Sequence, residues 1–123
     1  MIVAVFRRRL RDGATFAEFV EAWEAESGFG VAARVFNAVS LEDPREILSV
    51  GFVAADPAAL AALGTQVADA EAERHRRIDA VIESTELRAF YELRTEHDFS
   101  DDPRAVDPAS AESLLAALRG GPA

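Results

Sequence analysis

The chain contains no cysteine. Disulfides, thiolate metal sites and cysteine nucleophiles are therefore excluded. Positive charge is also in short supply. Thirteen arginines, with no lysine, stand against 22 aspartate and glutamate residues, a formal net charge of -9 at pH 7. A polyanion needs a basic surface to bind, so nucleic acid is not an expected partner, and an anionic membrane would repel the chain. No apolar run approaches the length that spans a bilayer. The opening MIVAVFRRRL places its apolar run before its arginines, the reverse of a secretory signal, so a soluble cytoplasmic protein is expected. No Gly-rich phosphate loop, serine-nucleophile elbow or cluster of metal ligands is present. That removes nucleotide-dependent enzymes and the common hydrolases.

What is present is apolar and periodic. The 123 residues are 50% hydrophobic, enough for one domain with a real core. Residues 2–10 open with Ile2, Val3, Ala4, Val5 and Phe6, an unbroken run that predicts a strand buried on both faces. A turn at Arg11, Asp12 and Gly13 follows. Residues 15–26 predict a helix. Thr15 and Glu18 have the spacing of a capping box, and Phe16, Phe19, Val20 and Trp23 form one stripe at i, i+3, i+4 and i+7. Gly28 is the expected cap at its end. Residues 31–41 and 46–55 predict two strands joined through Glu42, Asp43, Pro44 and Arg45, a hairpin with apolar residues on both of its faces.

Residues 56–84 predict one long helix. Asp56 is its N-cap, and Pro57 takes the first position, where a missing N–H costs nothing. Leu60, Leu63, Val67, Ala70, Ile78, Val81 and Ile82 form its apolar stripe, and Gly64 is the place for a bend or break. Residues 86–96 predict the fourth strand. From residue 98 the chain turns polar and reads as a linker, followed by a short helix over 108–119 with Leu114, Leu115 and Leu118 on one side. The organisation is thus a domain over 1–97 and a C-terminal extension over 98–123.

Strand, helix, strand, strand, helix, strand is the split βαβ, ferredoxin-like order. It predicts an α+β fold with both helices on one face of a four-stranded antiparallel sheet. The other face stands open, yet the strands are apolar on both sides. A large exposed apolar patch marks an interface, and the same face of a second copy is the simplest cover. The expectation is a homodimer through the sheet faces. The alternative is a monomer whose C-terminal segment covers that face.

With IVAVFRRRL as first strand, FAEFVEAW as first helix, ARVFNAVSLEDPREILSVGFVAAD as hairpin and ERHRRIDAVIESTELRAFYEL joining helix to last strand, residues 1 to 96 resemble the dimeric α+β barrel superfamily. The branch they look most like is that of the antibiotic-biosynthesis-type monooxygenases. The resemblance implies a dimeric barrel built from two ferredoxin-like units. It also implies a cofactor-independent oxygenase acting on a small aromatic or enolisable molecule, or else a non-catalytic small-molecule-binding or interaction module. Haem-degrading members pair an asparagine on the first strand with a histidine on the second helix. His75 lies on that helix, but the first strand has no asparagine, and Asn37 and Trp23 fall in other elements. No cofactor is expected.

His75 is the sharpest chemical candidate. It shares a helical face with Glu71, four residues earlier, which would orient the imidazole as a general base. The competing reading is a solvated histidine among Arg74, Arg76 and Arg77. The other histidine, His97, follows the last strand, and nothing in the sequence brings the two together. Phe19 and Trp23 are candidates for an aromatic wall, or for core. Tyr91 and Arg34 are candidates to bind a ligand oxygen, the alternatives being a core tyrosine and an arginine paired across the sheet with Glu92 or Glu46. Arg8 also lies on a strand expected to be buried, where an arginine needs a partner.

Overall fold

The apolar run at the start of the chain becomes an inner strand of the sheet. β1 (Ile2–Leu10) pairs antiparallel with β3 (Glu46–Val53) on one side and with β4 (Ile82–Glu92) on the other, and β2 (Ala33–Val39) pairs with β3 at the edge. The computed structural model describes residues 1–24, 33–66 and 68–106. Its sheet order is β2-β3-β1-β4. With helices inserted after β1 and after β3, this α+β arrangement is compatible with a ferredoxin-like fold. The expected helix over 108–119 and the Gly28 cap lie outside the described residues, as do the first two positions expected of β2. No helix among the described residues is long and apolar enough to cross a membrane.

α1 (Phe16–Trp23) begins as its capping box dictates. The Glu18 N–H donates to Thr15 Oγ1 at 3.2 Å, and the Thr15 N–H donates back to Glu18 Oε1 at 3.2 Å. Glu24 then takes an extended conformation and ends the helix short of the expected 26. Ahead of α1, Gly13 closes the turn with φ of +84°. A Cβ there would touch nothing within 4 Å, so Gly13→Ala isolates the backbone cost of the left-handed region. It is expected to lower stability by about 1–2 kcal/mol, measured by urea unfolding.

The long helix expected over 56–84 ends early, and residue 67 within it lies outside the described residues. A 3-10 turn (Pro57–Ala59) leads into α2 (Leu60–Gln66), which holds Gly64, and α3 (Ala68–Asp79) follows. Val81 and Ile82 fit the helical stripe in spacing, yet the chain turns at Ala80 and Val81, and Ile82 starts β4. Long-range pairing overrides the local period. Ile82 pairs with Leu10, the Arg11 N–H donates to the Val81 carbonyl at 3.0 Å, and Arg11 Nε donates to the Ile82 carbonyl at 2.9 Å. β4 therefore runs over 82–92 rather than 86–96. Its register against β1 shifts twice, skipping Glu86 and Glu83. Those two carboxylates meet arginines, Glu86 with Arg7 at 3.2 Å and Glu83 with Arg9 at 3.6 Å.

The polar stretch expected to be a linker contains a two-stranded ribbon, β5 (Glu96–Asp98) with β6 (Arg104–Val106). The Asp98 carboxylate closes it, accepting from the Ser100 N–H at 2.8 Å and from Arg104 Nη2 at 3.3 Å. The ribbon straddles the boundary expected at 97/98.

The helices lie over one face of the sheet. Phe19 and Ala22 of α1, Ile78 of α3, Leu10, Ile47 and Ile82 form the buried core, with Trp23, Ala14 and Val81 packed against it. Full burial stabilises each large apolar side chain by roughly 1.5–3 kcal/mol. On the opposite face, alternation along the strands brings out Val3, Val5, Phe36, Leu48, Val50, Phe52 and Tyr91. Phe36, Leu48 and Tyr91 are 37%, 38% and 53% exposed there.

Candidate functional site

Between the helices and the sheet lies a cavity of about 150 Å³. Its floor is the helix-side face of the strands: Ile2, Ala4, Phe6 and Arg8 from β1, Val35 from β2, Gly51 and Val53 from β3, Arg88 and Phe90 from β4. The register explains the set, since Ala4 stands beside Gly51 and Phe90 while Phe6 stands beside Arg88. Gly51 leaves room at the centre of the floor, and a Cβ there would come within 3.6 Å of Ala4 and Val35. Trp23 closes one end from α1. Leu60, Leu63 and Gly64 of α2 and Glu71 and His75 of α3 form the roof. The walls are mainly apolar, with polar groups confined to a few positions. That is the usual composition of a small-molecule pocket.

His75 and Glu71, one helical turn apart on α3, both face this cavity. His75 Nε2 lies 3.2 Å from Glu71 Oε2, while Arg74 Nη1 contacts the other oxygen of the same carboxylate. A carboxylate beside Nε2 favours the tautomer with its proton there, which leaves the Nδ1 lone pair as the basic site. Burial holds the His75 pKa below its ordinary value of 6.5, helped by the charges of Arg88, Arg8 and Arg74 and opposed by Asp79. The imidazole is therefore neutral at pH 7 and able to accept a proton.

Of the other sequence candidates, Trp23 is on the cavity wall. Phe19, four residues earlier on the same stripe, is not: it has 0% exposure and lies in the core, 6.2 Å from the Phe16 ring and 6.4 Å from that of Trp23. Arg34 is exposed, and Tyr91 shares the open face of the sheet; neither lines the cavity. Asn37 accepts a hydrogen bond from Ser49 Oγ at 2.6 Å. His97 lies in β5 and stacks on Phe99, with centroids 6.3 Å apart. Among the described residues no three His, Asp or Glu side chains are grouped to hold a metal ion.

Sequence reasoning passed over Arg88, Phe6 and Phe90. Their signal lay in the alternation of β4, where Arg88 and Phe90 share a face opposite Leu87, Ala89 and Tyr91, but only the register with β1 says which face meets the helices. Arg8, the strand arginine whose position calls for a partner, has unusual surroundings. It is 3% exposed, and its Nη1 has no hydrogen-bond partner among the described residues. Aromatic rings hold it in place, with Cζ 4.7 Å from the Phe6 centroid and 5.7 Å from that of Trp23. Desolvation lowers its pKa to about 10 despite help from Asp79. Trp23 Nε1 is likewise buried without a partner among the described residues.

No protein-family model matches this chain, no curated protein matches it, and no solved structure matches it.

Proposed function

We propose that this protein binds a small, enolisable or phenolic aromatic molecule between its helices and its sheet and takes a proton from it with His75. The supporting observation is that one cavity joins His75, Glu71 and Trp23. Glu71 orients the imidazole, Nδ1 receives the proton, and Trp23 and Phe90 flank the ring. The reaction class this serves is cofactor-independent monooxygenation, with dioxygen as co-reactant. His75 takes one proton from a CH₂ group, and the carbanion's electrons reduce dioxygen to give a carbon-bound hydroperoxide. Loss of the second C–H proton with O–O cleavage leaves a carbonyl group and one water. Without oxygen chemistry, the same pocket serves a protein that only binds.

The test is deuterium exchange into phenylacetone, a neutral one-ring ketone, followed by NMR in D₂O. Exchange above the buffer rate that disappears in His75→Ala supports the base. Equal exchange by both proteins removes it. Oxygen uptake matched to carbonyl formation then separates the oxygenase from a protein that only enolises or binds.

A homodimer through the open sheet faces belongs to the same proposal. Phe36, Leu48 and Tyr91 on that face are too exposed for a chain that acts alone, and Arg7 and Arg9 form a charged rim with Glu86, Glu83 and Asp43. The pair of faces would close into an α+β barrel. Leu48→Arg places an unpaired charge at the seam and is expected to convert a dimer to a monomer in light scattering. A wild-type monomer at micromolar concentration would sink the dimer and favour cover by residues of the C-terminal extension.

A further inference from the structure

Resting on the ligand pocket proposed above, we infer that the cavity takes a single-ring aromatic anion, a carboxylate or phenolate, whose oxygen is bound by Arg8 and Trp23 Nε1. Two observations carry this. The first is an excess of buried donors. Arg8 Nη1 and Trp23 Nε1 both belong to side chains on the cavity wall, both are buried, and neither has an acceptor among the described residues. A buried unpaired donor costs the desolvation of that group, and a charged one costs more. Arg88 adds a second guanidinium to the wall, its Cζ 5.9 Å from the centroids of Phe6 and Phe90. The only carboxylate on the wall among the described residues, Glu71, is already engaged by Arg74 and His75. The pocket thus offers donors and positive charge without an answering acceptor among the described residues, and a ligand oxygen bearing negative charge would answer both.

The second observation is size and lining. A cavity of about 150 Å³ walled by Ile2, Ala4, Val35 and Phe90 matches the apolar volume of roughly 150 Å³ that accommodates one benzene ring. Rings stacked against Arg8 hold its guanidinium in place before any ligand arrives. The side-chain ordering that binding would otherwise cost is then already met.

The test compares benzoate with toluene, a neutral molecule of similar shape, by calorimetry and ligand-observed NMR on the full chain. Wild-type protein is expected to bind benzoate at least about tenfold more tightly than toluene. Arg8→Met keeps the length and apolar stem of the side chain. It is expected to lose about tenfold to hundredfold of benzoate affinity and to keep its toluene affinity. Should Arg8→Met fail to fold, Arg88→Leu changes an exposed side chain on the same wall, with an expected loss of about two- to fivefold for benzoate alone. Unchanged benzoate binding in the variant overturns the inference. Toluene binding without benzoate binding also overturns it while leaving the pocket intact as a ligand site. Binding of neither molecule overturns the inference and the pocket together. Benzoate binding that depends on Arg8, in a protein that exchanges no protons from phenylacetone, supports the anion site and removes only the base.

Discussion

Replacing His75 with alanine is expected to lower the rate of proton exchange from an enolisable ligand by about 10²- to 10⁴-fold, the usual contribution of a positioned general base. The variant should keep its ligand affinity, since Trp23, Arg8 and the apolar floor remain. The pH profile supplies a second signature. Burial, with Arg88, Arg8 and Arg74, holds the His75 pKa below 6.5. A base works in its deprotonated form, so activity should rise with pH through a midpoint below 6.5 and be flat above it. A midpoint above 6.5, or a profile unchanged in His75→Gln, would count against His75 as the base. Stability carries the same sign. In the unfolded chain the imidazole takes up a proton near pH 6.5, while the folded protein does so only at lower pH. Between those two values the unfolded state binds more protons. Stability should therefore fall as pH drops below 6.5 and level off once the folded protein also protonates. His75→Gln should flatten that slope.

Phe19→Ala is expected to cost about 3–5 kcal/mol of folding stability. The side chain has 0% exposure and packs with Leu10, Ile47, Ile78 and Ile82, where α1, α3, β1, β3 and β4 converge. Removing the ring forfeits its transfer free energy and leaves a void that five elements cannot close together. A domain of this size has a total stability of about 5–15 kcal/mol, so the variant would sit near the edge of folding. Urea titration should show a lower midpoint with an unchanged slope. Phe16, 36% exposed on the same stripe, is the control, and its loss should cost far less. Equal effects at the two positions would mean that the ring at Phe19 is not the centre of the core.

The local signals in the chain were strong where they were also self-sufficient. Thr15 and Glu18 are three residues apart and cap α1 as their spacing says. The unbroken run from Ile2 to Phe6 becomes an inner strand between β3 and β4, with Ile2, Ala4 and Phe6 toward the helices and Val3 and Val5 half-buried on the open face. The turn at Asp43 and Pro44 joins a hairpin, as turn chemistry requires. Where two elements compete for one residue, local pattern was insufficient. Ile78, Val81 and Ile82 have helical spacing, yet Ile82 is drawn into β4 by Leu10, more than seventy positions away in sequence. The ribbon after β4 is closed by hydrogen bonds to the Asp98 carboxylate, and no periodicity announces it.

The site divides in the same manner. His75 and Glu71 were legible as a pair, since i and i+4 on one helix face each other wherever that helix goes. The sequence by itself determined the order of elements, the capped first helix, the apolar character of both sheet faces and the Glu71–His75 pairing. All of these follow from residues near one another in the chain. Tertiary structure alone decided that His75 turns toward a cavity, that Phe19 is core while Trp23 is wall, and that Arg8 meets aromatic rings in place of a carboxylate. Those outcomes depend on strand register and on where α3 crosses the sheet. Register and crossing come from how distant segments fill space together, which no single stretch of the chain encodes.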